Sequence, residues 1–120
     1  MDDTTTIATL KQATKEFCDE RDWEKYHNAK ELAIGIITEA GELLDNFRFK
    51  SPEQVDELFE DPKRRGEIGE ELADVLYFVL RMGERYDIDL SEEFSKKMVK
   101  NAEKYPVKLV KGKNQKYTEY

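Results

Sequence analysis

Two stretches decide the fold, IGIITEAGELL over residues 34–44 and ELADVLYFVL over residues 71–80. In both, apolar side chains recur every three or four residues, the period of an α-helix and not of a strand. Working outward from the first, Leu32, Ile36, Ala40, Leu43 and Phe47 form one helical stripe. Ile34, Ile37 and Leu44 flank it, so this helix is apolar over more than one face and is expected to be buried on two sides. Asn28 reads as its N-cap, with Glu31 three residues on in a capping-box pattern. Outward from the second stretch, Ile68, Leu72, Val75, Leu76, Val79, Leu80 and Met82 continue a long helix. Asp61-Pro62 opens it and it runs to about Tyr86.

The remaining segments follow the same period. A first helix spans about Thr6 to Glu20, with Ile7, Leu10, Thr14 and Phe17 at helical spacing, and breaks at Arg21–His27. Ser51-Pro52 opens a short helix to about Phe59, with proline at the first helical position. Asp89, with Glu92 three residues on, caps a last long helix through Phe94, Met98 and Ala102. It stops before Tyr105-Pro106, because proline disfavours helix at the preceding residue. Residues 107–120 are lysine-rich and read as an extended tail. No segment alternates well enough to be a strand. The expected architecture is all-α, a four-helix-bundle-like single domain over residues 1–120. Two helices are too apolar for such a bundle standing alone, which points to a homodimer or homotetramer.

Composition excludes several classes. The chain has 120 residues, one domain's worth, with 39% charged and 38% hydrophobic residues. No apolar run approaches the ~18 residues of a membrane span, and no apolar stretch follows a basic N-terminus, so neither membrane nor secretory signal is expected. One cysteine, Cys18, forms no internal disulfide, and a reduced, cytoplasmic setting is expected. One histidine, His27, excludes a site built from several imidazoles. The net charge is −7, but residues 96–116 hold eight lysines against the single acid Glu103. That segment carries +7, leaving −14 on the rest. An acidic body with one basic end is a poor grip for a nucleic-acid polymer, which needs a broad positive face. It suits a small polyanion, with cations on the acids and lysines on the phosphates.

The chemistry lies inside the two apolar stretches. Glu39 and Glu42, and Glu71 and Asp74, are each three apart, hence about 60° apart on one helical face. Carboxylates set among apolar side chains need partners, and few basic residues lie nearby in sequence. A hard divalent cation satisfies all four. Oxygen-only ligands favour Mg²⁺, with Mn²⁺ an alternative and Ca²⁺ possible. Zinc and ferritin-like di-iron are disfavoured for want of Cys or His ligands. Gly41 and Gly69 are expected to allow close helix or ligand approach. Taken alone, each Glu-x-x-Glu or Glu-x-x-Asp pair is as common on a plain solvated helix.

Glu39-x-x-Glu42 followed by Glu71-x-x-Asp74 resembles the paired signature of the MazG-like all-α nucleoside triphosphate pyrophosphatases. Phe17, the run Glu20-Arg21-Asp22-Trp23-Glu24-Lys25-Tyr26-His27, Lys97-Met98, Asn101, Lys104-Tyr105-Pro106 and Lys116-Tyr117-Thr118-Glu119 are similar to the dCTP pyrophosphatase branch. The resemblance implies cleavage of a nucleoside triphosphate between its α and β phosphates. Glu39, Glu42, Glu71 and Asp74 would hold Mg²⁺, which activates a water, and Glu39 or Glu42 would accept its proton. Lys97 and Asn101, with Lys104 extending their face, match phosphate-contacting positions, and Lys30 and Tyr105 join the candidate substrate contacts. Trp23 matches a base-stacking tryptophan, and His27 is a candidate for a base or phosphate contact. Phe49 falls where the eukaryotic enzymes place a second tryptophan, Phe78 where they place a tyrosine, and Thr14 where they place a histidine. These departures keep an aromatic pocket but remove polar handles, so the cytosine preference stays open. A dUTPase-like or broad house-cleaning pyrophosphatase, and a non-catalytic acidic interaction module, are the competing readings.

Overall fold

The computed structural model describes residues 1–114 and 116–119. Among these residues six helices follow in order: α1 Ile7–Glu20, α2 Ala29–Asp45, α3 Pro52–Glu60, α4 Pro62–Arg85, α5 Leu90–Lys104 and α6 Val107–Val110. Short 3₁₀ turns occupy Glu24–Tyr26 and Tyr117–Glu119. No strand occurs among the described residues.

Each long helix begins where its cap chemistry dictates. Thr6, Asn28, Ser51, Asp61 and Asp89 all accept a hydrogen bond from a backbone N–H in the first turn through their side chains. That satisfies donors which the helix leaves unpaired. At Ser51 the box is reciprocal, because Gln54 Oε1 also accepts from the Ser51 N–H. The tail differs from expectation. Pro106 fixes the start of the four-residue helix α6 where extended chain is expected.

The chain forms two compact units, Met1–Asp87 and Ile88–Tyr120. Within the first, α4 is the hub. It packs most extensively on α2, and also on α1 and α3. Cys18, Leu32, Ile68 and Leu80 form the apolar core, joined by the buried Thr14 and Arg81. α3 is attached through a stack of Phe47 and Phe59, 6.0 Å between ring centres.

Burial on both sides of α2 is not what a single chain shows. Ile37 is 72% exposed, and Ile34 and Leu44 on α2, with Leu72 and Leu76 on α4, are exposed as well. The stripe through Leu32 faces α4 and the second apolar face lies open. The glycine expectation also changes. A Cβ at Gly41 or Gly69 would meet nothing within 4 Å. A Cβ at Gly35 would come within 2.5 Å of the Phe78 ring, so the close approach of α2 and α4 is there.

Candidate functional site

The facing stripes of α2 and α4 run antiparallel and bring the two acidic pairs together. Glu39, Glu42 and Glu71 each offer a carboxylate oxygen, all within 4.8 Å of one another. Asp74, one turn beyond Glu71, is exposed and acts on the same group, raising the pKa of both Glu39 and Glu71 by its charge. Burial is the larger cause for both residues, followed by the charge of Glu42. The Oε2 atoms of Glu39 and Glu71 are buried without a hydrogen-bond partner among the described residues. Crowded carboxylates with orphaned oxygens are unfavourable unless a cation meets them. The residues therefore fit a hard divalent ion, which oxygen-only ligands would hold.

Beyond the carboxylates, the same side of α4 continues through Phe78 and Arg81. Glu71, Asp74, Phe78 and Arg81 stand at i, i+3, i+7 and i+10, one helical face about 15 Å long. At the far end the chain from α1 returns. Asp22 takes a left-handed conformation with φ 55°, which a short polar residue tolerates. The reversal lets Trp23 N–H donate to the Cys18 carbonyl at 3.1 Å. It sets the indole edge-on to Phe17, centroids 5.7 Å apart. The Phe17 ring in turn meets Tyr77 at 6.0 Å, and Tyr77 meets Phe78 at 5.0 Å. A row of aromatic rings thus joins Trp23 to Phe78, one turn beyond Asp74 on α4.

His27 lies 6.1 Å from Trp23, ring centre to ring centre. Its Nδ1 accepts a hydrogen bond of 2.9 Å from Arg81 Nε. Arg81, 1% exposed, also donates through Nη1 to Glu84. Its Nη2 is buried with no partner among the described residues. Burial, then the charges of Arg81 and Arg85, hold His27 below the ordinary imidazole range. Beside this, the Cys18 thiol and the Tyr77 hydroxyl are 3.1 Å apart, and burial pushes the Tyr77 hydroxyl well up. Cys18 is fully buried, as a packing residue.

The other sequence candidates are placed as follows. Thr14 is turned inward, its hydroxyl donating to the Leu10 carbonyl at 2.8 Å. Phe78 is half-buried against Gly35. Phe49 is 96% exposed on a left-handed backbone with φ 61°, the Arg48 guanidinium 5.0 Å from its ring centre. Lys30 is exposed and pairs with Glu31 at 3.7 Å. Lys97, Asn101 and Lys104 share a face of α5 at i, i+4 and i+7, and Tyr105 is the C-cap of that helix. These four belong to the second compact unit.

Sequence reasoning did not single out Arg81, Glu84 or Gly35. A signal for Arg81 existed, an arginine inside the apolar run Val79-Leu80-Arg81-Met82, at helical spacing from Glu71 and Asp74.

The model of the MazG-like family matches residues 34–120, which include both carboxylate pairs. The chain belongs to the MazG-like family. It is 35% identical to mouse dCTP pyrophosphatase 1 over 114 residues, covering 95% of this chain and 67% of that protein. The human protein of the same name is 32% identical over the same shares. A solved structure, a pyrophosphatase from Archaeoglobus fulgidus, is 41% identical and superposes with a TM-score of 0.75. It covers 81% of this chain and 89% of its own. No described helix is long and apolar enough to cross a membrane.

Proposed function

We propose that this MazG-like chain is a divalent-metal-dependent nucleoside triphosphate pyrophosphohydrolase. It cleaves a deoxynucleoside triphosphate to the monophosphate and pyrophosphate. The observation that carries the reading is the carboxylate cluster, in which Glu39 and Glu71 each bury an oxygen with no partner among the described residues. Glu39, Glu42, Glu71 and Asp74 would hold Mg²⁺, with Mn²⁺ a substitute. The ion supplies charge neutralisation on phosphate oxygens and a water acidified toward neutral pH. Glu39 or Glu42 accepts a proton from the attacking water. Trp23 stacks on the base. Phe78 and Phe49 extend the apolar contact, and His27 contacts the base edge. Lys97, Asn101 and Lys104 contact phosphate, the lysines through charge, and Lys30 and Tyr105 are further substrate contacts.

The named relatives are dCTP pyrophosphatases, which favours dCTP or a modified dCTP as substrate. Sanitation of a cytoplasmic nucleotide pool is the corresponding role. The open apolar surface of Ile34, Ile37, Leu44, Leu72 and Leu76 supports a homodimer or homotetramer. Pyrophosphate release from a panel of canonical and modified nucleoside triphosphates, with Mg²⁺ and with EDTA, tests the reading. Release that depends on Mg²⁺ and is fastest with a cytosine nucleotide supports it. No release from a folded protein with any substrate overturns it in favour of an acidic interaction module.

A further inference from the structure

His27 is the only histidine of the chain, and its hydrogen bonding determines which of its nitrogens carries the proton. The Arg81 Nε–H can only donate, so the Nδ1 atom it meets at 2.9 Å must present a lone pair. A neutral imidazole with a bare Nδ1 carries its proton on Nε2. A second proton would break the bond to Arg81 and set two cations side by side. The groups around the ring act the same way. Arg81 and Arg85 are both cationic, while Glu84 binds the Arg81 guanidinium and Glu24 lies 3.7 Å from Arg85 Nε. The acids therefore face the arginines and not the imidazole.

The ring so fixed lies beside Trp23, the indole expected to stack a base. It stands at the end of the α4 face remote from the carboxylates. Arg81 is about 10 Å along the helix from Asp74, so one end takes an anion–metal assembly and the other a flat aromatic group. Arg81 itself is enclosed and its Nη2 has no partner among the described residues, a costly arrangement that helix packing alone does not require.

We infer that Arg81 is a positioning residue that locks His27 as an Nε2–H donor at the edge of Trp23, where it reads a carbonyl oxygen of the stacked base. The substrate class is a nucleotide whose base carries a carbonyl, as cytosine does and adenine does not. This rests on the hydrolase reading for the word substrate, but its core, the tautomer and its use, is measurable without turnover.

The test is long-range proton–nitrogen NMR on protein labelled with ¹⁵N-histidine, where the single imidazole is unambiguous. In the wild type, Nδ1 is expected to resonate as a bare nitrogen and Nε2 as a protonated one through neutral pH. Arg81→Met should give the mixed tautomers and ordinary titration of a free imidazole. Because that variant leaves Glu84 unpaired, R81M/E84Q is measured beside it, with thermal melts to show that both are folded. Millimolar deoxycytidine should shift the Nε2 signal, whereas deoxyadenosine and inorganic pyrophosphate should not. In turnover, R81M should raise KM about two- to tenfold, the worth of one neutral hydrogen bond, with kcat within about twofold.

A wild type with the proton on Nδ1, an unchanged tautomer in both folded variants, or a response to pyrophosphate and not to deoxycytidine would overturn the inference. So would no response to any of the three. If Nε2 responds to deoxycytidine while no triphosphate is hydrolysed, the hydrolase reading fails and this one stands.

Discussion

Replacing Glu39 by glutamine is expected to stabilise the metal-free protein while abolishing its function. The Glu39 and Glu42 carboxylates lie within 4.8 Å. Two unit charges at that distance in water repel by about 0.9 kcal/mol. The water value applies because Glu42 is exposed and solvent screens the pair. Glutamine keeps the shape and removes the repulsion, so stability without metal should rise by about 1 kcal/mol. For a chain of this size that is about 3–5 °C in Tm. The pH dependence has a definite sign. Burial, then the charge of Glu42, raises the Glu39 pKa above the ordinary carboxylate range. An acid raised in the folded state stabilises the fold most when protonated, and that contribution is lost as pH rises through the raised value. The wild type in EDTA should therefore lose more stability between acidic and neutral pH than Glu39→Gln does. Thermal melts in EDTA and in Mg²⁺, at low salt, provide the assay. Mg²⁺ should lift the wild-type Tm by mass action and lift that of the variant far less. A Glu39→Gln protein that melts below the wild type in EDTA would refute the reasoning, since it would mean the carboxylate is held by a stabilising partner.

Other substitutions separate binding from chemistry and from assembly. Trp23→Ala should raise KM about 5- to 150-fold, from a stacking loss of about 1–3 kcal/mol, with a much smaller change in kcat; steady-state kinetics on the best substrate checks it. Lys97→Ala should weaken triphosphate binding about tenfold and flatten its salt dependence, read by titration at two ionic strengths. Ile37→Asp, on the open face of α2, should leave the fold intact but reduce the mass measured by light scattering to that of a single chain.

The helix starts were legible because capping is local. Asn28, Ser51, Asp61 and Asp89 each act on a backbone N–H two or three residues away, and the structure places each of them at a helix start. The carboxylate cluster was legible because spacing of three puts each pair on one face, and apolar neighbours force that face toward another helix. What joins distant segments was not. The bond from Arg81 to His27 spans 54 positions, and nothing local to either residue announces it. Gly35 is the same case, because its need for a bare Cα comes from Phe78 on another helix. The exposure of Phe49 follows from a left-handed backbone at that residue, a conformation its side chain does not advertise. The resemblance put Phe49 at the position of a second tryptophan, and the turn after α2 decides where its ring points in this chain.

The central claim is that the clustered carboxylates serve cleavage of the α–β phosphoanhydride. Phosphorus NMR of the reaction products, taken with the fastest substrate in Mg²⁺ and again in EDTA, tests it most directly. The account predicts monophosphate and pyrophosphate in Mg²⁺ and unreacted triphosphate in EDTA. Diphosphate with orthophosphate, or turnover indifferent to EDTA, would contradict it.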